Sequence, residues 1–316
     1  MEFFKRRTAI RFMEKRRHFA VFSLILIIVS LVSLATRGLN LGIDFTGGTL
    51  VEVRYERTVP VADVRAALTQ QGFGDAVVQT FGGPQDVLIR LPGGQARDSA
   101  TLSTRIAAAL KQGAQGQDVQ VRRVEFVGPQ VGKELAQQGM LALVLVILGI
   151  LIYVSFRFEW RFAIGSILAL LHDPILVLGF FSVTGMEFSI STLAALLAVM
   201  GYSINDTVVV FDRIREYLVQ QRNKSVEMIM NESINSTLSR TIMTSMTTLL
   251  VVLALLFFGG PVLEPFAATL VVGILVGTYS SIFIASPAAL WLGLKREHVV
   301  KSKLIRGTDR EDGARI

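Results

Sequence analysis

Six long apolar stretches constrain this chain more than any other feature of its sequence. A helix needs roughly 20 mostly apolar residues to cross a bilayer, and the stretches that qualify are 19–36, 138–156, 162–184, 189–211, 241–260 and 266–293. Apolar residues make up 51% of the 316 residues, close to the share in soluble domains, so their grouping is the informative feature. The sequence therefore predicts an α-helical polytopic membrane protein with six transmembrane helices.

The basic residues predict the orientation of the chain. The leader 1–18 carries seven Lys and Arg residues and the turn 157–161 carries two, whereas the short loops on the opposite side carry none. Because basic residues concentrate in cytoplasmic loops, we expect the leader and the tail 294–316 in the cytoplasm and segment 37–137 outside. The formal net charge of +7 then reflects topology and not nucleic-acid binding.

A cleavable signal peptide is the alternative interpretation of the first span. A basic leader, an apolar run and the small residues at 33–35 are all features of such peptides. However, the run 19–36 is longer than the apolar core of about 7–15 residues that signal peptides have. We therefore expect the first span to be retained.

Segment 37–137 is long enough to hold a folded domain. Its pattern predicts a strand, a helix, two strands, a helix and a last strand, at 49–55, 61–71, 76–81, 87–91, 99–111 and 119–127. Two glycines and a proline at 82–84 are typical of a tight turn between the middle strands. The order βαββαβ predicts an α+β ferredoxin-like extracytoplasmic domain.

Charged residues inside the spans point to the function. Each costs about 2.5–3.5 kcal/mol at a helix centre on insertion scales, so it requires a partner, water or a task. Asp173, Asp206 and Arg240 stand out. Asp206 lies past the middle of a span that begins outside, and Arg240 enters the membrane from the cytoplasm. We therefore expect these two side chains to meet in the inner half of the membrane.

A carboxyl group in a low-dielectric place beside an arginine can be poised to bind a proton on one side and to release it on the other. A structural ion pair between two helices is the alternative. The sequence contains no phosphate-binding loop and no hydrolytic triad, so we expect no enzyme and an ion gradient, of H⁺ or Na⁺, as the energy source. Asp206 and Arg240 are the predicted proton-coupling pair. Weaker candidates for the same task are Tyr202, Asn205, Thr244, Thr247 and Thr248, which accompany them along the two helices, together with His172 and Asp173.

Asp173 has a second interpretation. It stands between His172 and Pro174, and a proline removes a backbone donor and kinks a helix. The two polar side chains would then satisfy freed backbone groups or cap a half-helix. With no cysteine and three scattered histidines, we expect no metal and no cofactor.

Two further patterns lie in the second half of the chain. Segment 225–239 alternates apolar and polar residues, which favours an amphipathic helix on the cytoplasmic face, with a plain connector as the alternative. Gly273 and Gly277 form a GxxxG pattern in the sixth span, which predicts a close contact between two helices.

Several strings resemble the SecD/SecF family of protein-export membrane proteins. The string LGIDFTGGT at 41–49 is similar to the signature that SecD and SecF chains share. The strings GYSINDTVVVFDRIRE at 201–216 and FGGPVLE at 258–264 resemble the SecF members of the family. Further similar strings stand at 124–129, 156–161 and 295–298, so that the resemblance covers nearly the whole chain.

The resemblance implies an accessory subunit of the Sec protein translocase, of the RND superfamily and the bacterial inner membrane. Such a subunit pairs with SecD and uses the proton-motive force to promote protein export. The family's proton-handling Asp and its Arg partner fall on Asp206 and Arg240, and its signature on Asp44, Gly47 and Gly48. A glycine turn from the membrane to the domain is the alternative role of the signature.

The expected partners are SecD, the SecYEG translocon with its associated membrane subunits, exported unfolded polypeptides and membrane lipids, without nucleic acid. An RND-like proton-driven exporter of small molecules or lipids is the alternative function. Pumps of that kind generally carry two six-span halves and much larger external domains in one chain, whereas this sequence contains six spans.

The predicted topology is tested with alkaline phosphatase fusions. Phosphatase fused after Gln115 should be active, because its disulfides form only in an oxidising compartment, and phosphatase fused after Lys301 should be inactive. The reverse activities, or a mature chain that begins at Thr36, contradict the topology.

Overall fold

The computed structural model describes residues 8–92, 106, 108–111, 119–297 and 299. Within these residues, six helices are long and apolar enough to cross a membrane, as predicted. In chain order the helices are α1 (Arg16–Arg37), α2 (Ile43–Thr46), α3 (Val61–Gln70), α4 (Pro129–Arg157), α5 (Trp160–Thr184), α6 (Ile190–Gln220), α7 (Val226–Phe258), α8 (Glu264–Ser280), a π-helical turn (Ser281–Ala285) and α9 (Ser286–Trp291). The spans are α1, α4, α5, α6, α7 and the continuous run from α8 to α9.

Helix α8 packs closely against α6. A Cβ atom at Gly273 would lie 2.3 Å from Val199 Cγ1, and one at Gly277 would lie 2.8 Å from Ser203 Cβ. The predicted close contact at the GxxxG pattern is therefore confirmed, with α6 as the neighbouring helix. Small residues at such contacts let helices approach in a bilayer, where no hydrophobic effect drives them together.

The first span packs against the third. The hydroxyl groups of Ser33 in α1 and Ser182 in α5 lie 2.8 Å apart and share a hydrogen bond. Helices α1 and α4 expose most of their apolar side chains, whereas α5 is largely buried. Helix α5 therefore lies in the interior of the bundle, and α1 and α4 lie on its surface.

The helix predicted for 225–239 is present, but it is not separate from the fifth span. Helix α7 runs without a break over 33 residues from Val226 to Phe258, so that its first turns prolong the fifth span. Contacts with the leader hold this part in place. The side chain of Asn231 accepts a hydrogen bond from Met13 N–H, and Arg16 forms a 2.9 Å ion pair with Glu227.

The structure does not support the alternative interpretation of Asp173 as the cap of a half-helix at Pro174. Helix α5 continues through the proline from Trp160 to Thr184. The side chain of Asp173 bonds to neighbouring helices and not to freed backbone groups. Proline removes a single hydrogen bond of the helix, and α5 continues on both sides of it.

The segment between α1 and α4 folds around a four-stranded antiparallel sheet. Its strands are β2 (Gly48–Tyr55), β3 (Val77–Thr80), β4 (Asp86–Pro92) and β5 (Val119–Val127), in the order β3-β4-β2-β5. Helix α3 and the helical residues 106 and 108–111 contribute to the apolar core on one face. The rest of the helix predicted at 99–111 lies outside the described residues. The predicted ferredoxin-like fold class is confirmed.

A second, two-stranded sheet connects this domain to the spans. Strand β1 (Asn40–Leu41) pairs in parallel with β6 (Glu187–Phe188), which lies in the loop between α5 and α6. After β1 the chain makes the short helix α2 and then enters β2 at Gly48. The domain therefore begins against the ends of α5 and α6 that this loop joins.

Gly47 is required at the entry to β2 for two reasons. Its φ angle is +67°, in the left-handed region that favours glycine. A Cβ atom at this position would lie 2.8 Å from Cα of Pro129, the first residue of α4. These facts agree with the alternative interpretation of the signature glycines, a turn that leads from the membrane to the domain.

Replacing this glycine should destabilise the protein. Gly47→Ala places a side chain on backbone with positive φ and extended ψ, which costs about 1–3 kcal/mol, and against the backbone of α4. Gly74→Ala is the matched control, because a Cβ at Gly74 would have Thr69 Cγ2 as its nearest neighbour, at 3.9 Å. The midpoint of thermal unfolding in mild detergent should fall for Gly47→Ala and stay near the parent value for Gly74→Ala. Equal midpoints for Gly47→Ala and the parent would contradict this account.

Candidate functional site

A polar cavity of about 240 Å³ lies between α6 and α7 in the membrane region. Polar side chains of both helices line it, at spacings of three and four residues that bring them to one helix face. The lining residues are Tyr202, Asn205, Asp206, Val209, Arg240, Thr244, Thr247 and Thr248. The structure thus brings together the predicted pair and five of its weaker candidates.

The threonines of α7 present acceptor oxygens to this cavity. The hydroxyl of Thr244 donates to Arg240 O at 3.0 Å, that of Thr247 to Met243 O at 2.9 Å, and that of Thr248 to Thr244 O at 2.9 Å. Because these hydrogens are used within the helix, each hydroxyl keeps lone pairs for a donor in the cavity. Such a lining suits water, the Arg240 guanidinium or a small cation.

The carboxylate of Asp206 is held by two hydroxyl groups from other elements. Thr241 of α7 donates to Oδ1 at 2.6 Å, and Ser281 in the π-helical turn donates to Oδ2 at 2.5 Å. Hydrogen bonds to a charged acceptor are roughly twice as strong as those between neutral groups. Asp206 therefore joins α6, α7 and the sixth span at one point.

Arg240 faces Asp206 across the cavity. Both side chains line it, but among the described residues no ion pair joins them, and the carboxylate oxygens are bonded to hydroxyl groups instead. As expected, the two residues lie at the same place, but they form no direct ion pair. Arg240 acts on Asp206 as a separated positive charge.

Asp173 forms a second, drier cluster. Its side chain is 1% exposed, and its Oδ2 accepts hydrogen bonds from Ser203 at 2.5 Å and Ser280 at 2.9 Å. Nδ1 of His172 lies 2.9 Å from Oδ1 of Asp173, and the imidazole stacks on the ring of Tyr279. These two weaker candidates do not line the polar cavity.

The two acidic residues are connected through the sixth span. Ser280 binds Asp173 and the next residue, Ser281, binds Asp206. The π-helical turn begins at Ser281, and such turns are frequent at functional sites. A movement of this part of the sixth span therefore changes the contacts of both carboxyl groups.

The sequence analysis missed the hydroxyl groups that bind the two acids: Ser203, Thr241, Ser280 and Ser281. A signal for two of them exists, since four consecutive polar residues at 278–281 interrupt an otherwise apolar span. Thr241 follows Arg240 directly. Hydroxyl groups in a span form hydrogen bonds inside the bundle. Serines and threonines of the spans are therefore candidate partners of buried carboxyl groups.

The signature residues lie at the other end of α6. Asp44 Oδ2 accepts a hydrogen bond from Ile190 N–H, at 2.9 Å, where α6 begins. At a rise of 1.5 Å per residue, Asp206 lies about 24 Å further along this helix. Asp44, Gly47 and Gly48 therefore contribute nothing directly to the polar cavity.

Comparison with known proteins connects this architecture to a family. Residues 106–295 match the family model described as "Protein export membrane protein SecD/SecF, C-terminal", and residues 32–59 match "SecD/SecF GG Motif". The chain belongs to the SecD/SecF family. Curated relatives agree along nearly the whole length.

Among these SecD/SecF relatives, "Protein translocase subunit SecF" of Vibrio alginolyticus is 48% identical and covers 94% of this chain and 94% of its own. The protein of the same name from Pseudomonas aeruginosa is 47% identical, over 92% of this chain and 94% of its own. These names describe subunits of a protein translocase, which confirms the expected membership of the protein-export machinery and the expectation of a non-enzyme.

A solved SecDF structure has the same fold. "Crystal structure of SecDF, a translocon-associated membrane protein" from Thermus thermophilus matches with a TM-score of 0.82 and 41% identity, over 90% of this chain. The chain spans 39% of that SecDF chain. This protein therefore corresponds in fold to one part of a longer SecDF polypeptide.

The polar cavity should admit water, which thiol labelling can test, since the chain has no native cysteine. Thr244→Cys lies in the cavity, whereas Val251→Cys on the same helix replaces an apolar side chain that is 70% exposed at the bundle surface. A thiol reacts as the thiolate, which forms in water and not in hydrocarbon. A small charged thiol reagent should modify the first variant and spare the second. Equal modification of the two variants would contradict a watered cavity.

Proposed function

We propose that this chain, as an accessory subunit of the Sec protein translocase and together with SecD, uses the proton-motive force to promote protein export across the inner membrane. The single observation that carries the proposal is the carboxylate of Asp206, which lines a polar cavity and binds hydroxyl groups of two other elements. A proton taken up there alters the contacts between three parts of the bundle.

Protonation changes what Asp206 can bond. The charged carboxylate only accepts hydrogen bonds, whereas the neutral acid also carries one donor. The hydroxyl groups of Thr241 and Ser281 both donate to it now, and these bonds weaken when the charge is lost. Loading a proton therefore loosens α7 and the sixth span from α6, and releasing the proton restores the bonds.

Arg240 is the proposed counter-charge. From its place across the cavity it favours the charged form of Asp206, and a change in their separation alters how firmly the proton is held. The threonine oxygens of α7 and the side chain of Asn205 offer bonding places for water between them. Within the described residues, the hydroxyl of Tyr202 has no hydrogen-bond partner, so it is available to such a path.

The energy available suffices for this task. One unit charge that crosses about 100 mV releases roughly 2.3 kcal/mol. A difference of ~1.4 kcal/mol changes an equilibrium tenfold. One proton per cycle can therefore shift a two-state equilibrium of the helices by well over tenfold.

The exposed side chains of the polar cavity support the pairing with SecD. Asn205, Arg240, Thr244 and Thr247 are exposed on the isolated chain. Polar side chains that face lipid are costly, and charged ones face a bundle interior or a watered cavity. A second six-span unit that covers this face would enclose them, and SecD is the expected one, with SecYEG and membrane lipids as further neighbours.

We further propose that both termini are cytoplasmic and that domain 37–137 is periplasmic and binds exported unfolded polypeptides. Strand β5 lies at an edge of the sheet and exposes Val121, Val124 and Phe126. An extended polypeptide can add to such an edge through main-chain hydrogen bonds.

Substitution of the proton-coupling pair tests the proposal. Asp206→Asn keeps the shape of the side chain but removes its titration, and Arg240→Met keeps its length but removes its charge. In inverted membrane vesicles, each variant should reduce gradient-dependent export by about tenfold or more, since ~1.4 kcal/mol of lost coupling suffices for that. ATP-driven initiation and assembly with SecD should persist. Gradients of H⁺ and of Na⁺, imposed separately, identify the ion.

Asp212→Asn is the matched control on the same helix. Asp212 pairs with Arg157 at 2.6 Å, and both side chains are about two-fifths exposed, so the ion pair contributes little. This variant should export normally. Normal gradient-dependent export by Asp206→Asn would mean that its contacts are structural, and Asp173 would become the next candidate.

A further inference from the structure

The signature residue Asp44 connects the proposed proton site to the extracytoplasmic domain. Its carboxylate accepts the backbone N–H of Ile190, at 2.9 Å, and so binds the outer end of α6, the helix that carries Asp206. A carboxylate is favoured at a helix N-terminus, where the dipole is positive. The segment with Asp44 is also the segment that leads into β2.

Charged side chains reinforce the contact of Asp44 with the start of α6. We call this attachment of the domain the first support. Arg90 of β4 forms a 2.9 Å ion pair with Glu187 of β6, and the two side chains are only 11% and 16% exposed. Arg90 also donates to Asn40 Oδ1 and to Leu41 O, at 2.9 Å each. Breaking a buried pair is costly, so the sheet of the domain is firmly attached at the outer end of α6.

The domain touches the spans at a second place. Gly82, in the turn between β3 and β4, lies against Pro261 in the loop ahead of α8. A Cβ atom at Gly82 would lie 2.0 Å from Pro261 Cγ, and φ at Gly82 is +73°. The sixth span that follows this loop reaches Asp206 through Ser281. The second support therefore belongs to the other helix that meets at the proton site.

Open space separates the two supports. A cavity of about 500 Å³ lies between the free face of the sheet and the outer ends of the spans. Leu50, Glu52 and Leu88 line it from the sheet, and Ser191 and Pro265 line it from the spans. Because close-packed protein barely compresses, a domain can tilt toward the membrane only where such space exists.

We infer that Asp44 is a positioning residue that ties the outer end of α6 to the base of the extracytoplasmic domain, so that a shift of α6 against the sixth span tilts the domain. The inference rests on the proposed function, since the shift arises when Asp206 gains or loses its bond to Ser281. The two supports move with α6 and with the sixth span respectively. A change of their relative height therefore rotates the domain over the cavity.

The contact at the second support provides the measurement. Gly82→Cys and Pro261→Cys would place two cysteines in a chain that has none of its own. The ideal Cβ of residue 82 lies 3.0 Å from Cβ of Pro261, close to the ~3.5–4.5 Å that a disulfide requires. In vesicles that contain the complex with SecD, the oxidised bridge should abolish gradient-dependent export and reduction should restore it. Each single-cysteine variant is the control and should not respond to oxidant.

The role of Asp44 is tested in the same double-cysteine protein. The rate of disulfide formation should change several-fold when the gradient is imposed, because the domain tilts. Asp44→Ala should remove this change while assembly with SecD persists, and Asp44→Asn should preserve it, because the amide oxygen still accepts from Ile190 N–H. Asp75→Ala, which alters an exposed carboxylate in a loop of the domain, should have no effect.

Either of two results overturns the inference: normal gradient-dependent export by the bridged protein, or an unchanged gradient response in Asp44→Ala. The same experiments distinguish failure of this inference from failure of the proposed proton site. If Asp206→Asn blocks export and the bridge does not, the proton site stands and the role of Asp44 is wrong. If the bridge blocks export and Asp206→Asn does not, the supports transmit a movement that begins elsewhere.

Discussion

Two hydrogen bonds to one carboxylate join three elements of the membrane part of this molecule. Asp206 of α6 accepts them from Thr241 of α7 and from Ser281 at the start of the π-helical turn. Inside a bundle, where the dielectric constant is low, such bonds are strong while the acceptor is charged. In the proposed function, a single proton changes the attachment of two elements to α6 at the same moment, which is what coupling an ion gradient to a movement requires.

Close packing of small residues makes this arrangement possible. Gly273 and Gly277 let the sixth span approach α6, so that Ser280 and Ser281 reach Asp173 and Asp206. Since the two serines are neighbours in the chain, the sixth span cannot shift at one acid without shifting at the other. The domain contacts these two helices at the same side of the bundle, through Ile190 at the start of α6 and Pro261 ahead of α8. One pair of helices thus joins the proposed proton site to the side that bears the domain.

Two local patterns describe their segments incompletely for the same reason. Segment 225–239 has the alternation of a surface helix, yet it forms the first part of α7, where Asn231 and Glu227 bind Met13 and Arg16. Pro174 suggests a local role for Asp173 as one interpretation, yet its partners Ser203 and Ser280 belong to other helices. In both cases the partners are distant in sequence, and a local pattern does not identify them.

The sequence by itself determined the six spans, the order of strands and helices in the domain, and the polar faces of α6 and α7. These depend on hydropathy and on spacings of two to four residues, which are local properties of a chain. Only the tertiary structure decided which hydroxyl groups bind Asp206, that Arg240 faces it across a cavity, and that Asp44 binds the start of α6. Each of these depends on the depth and rotation of one helix against another. Packing between distant side chains sets that depth and rotation, and no local pattern contains it.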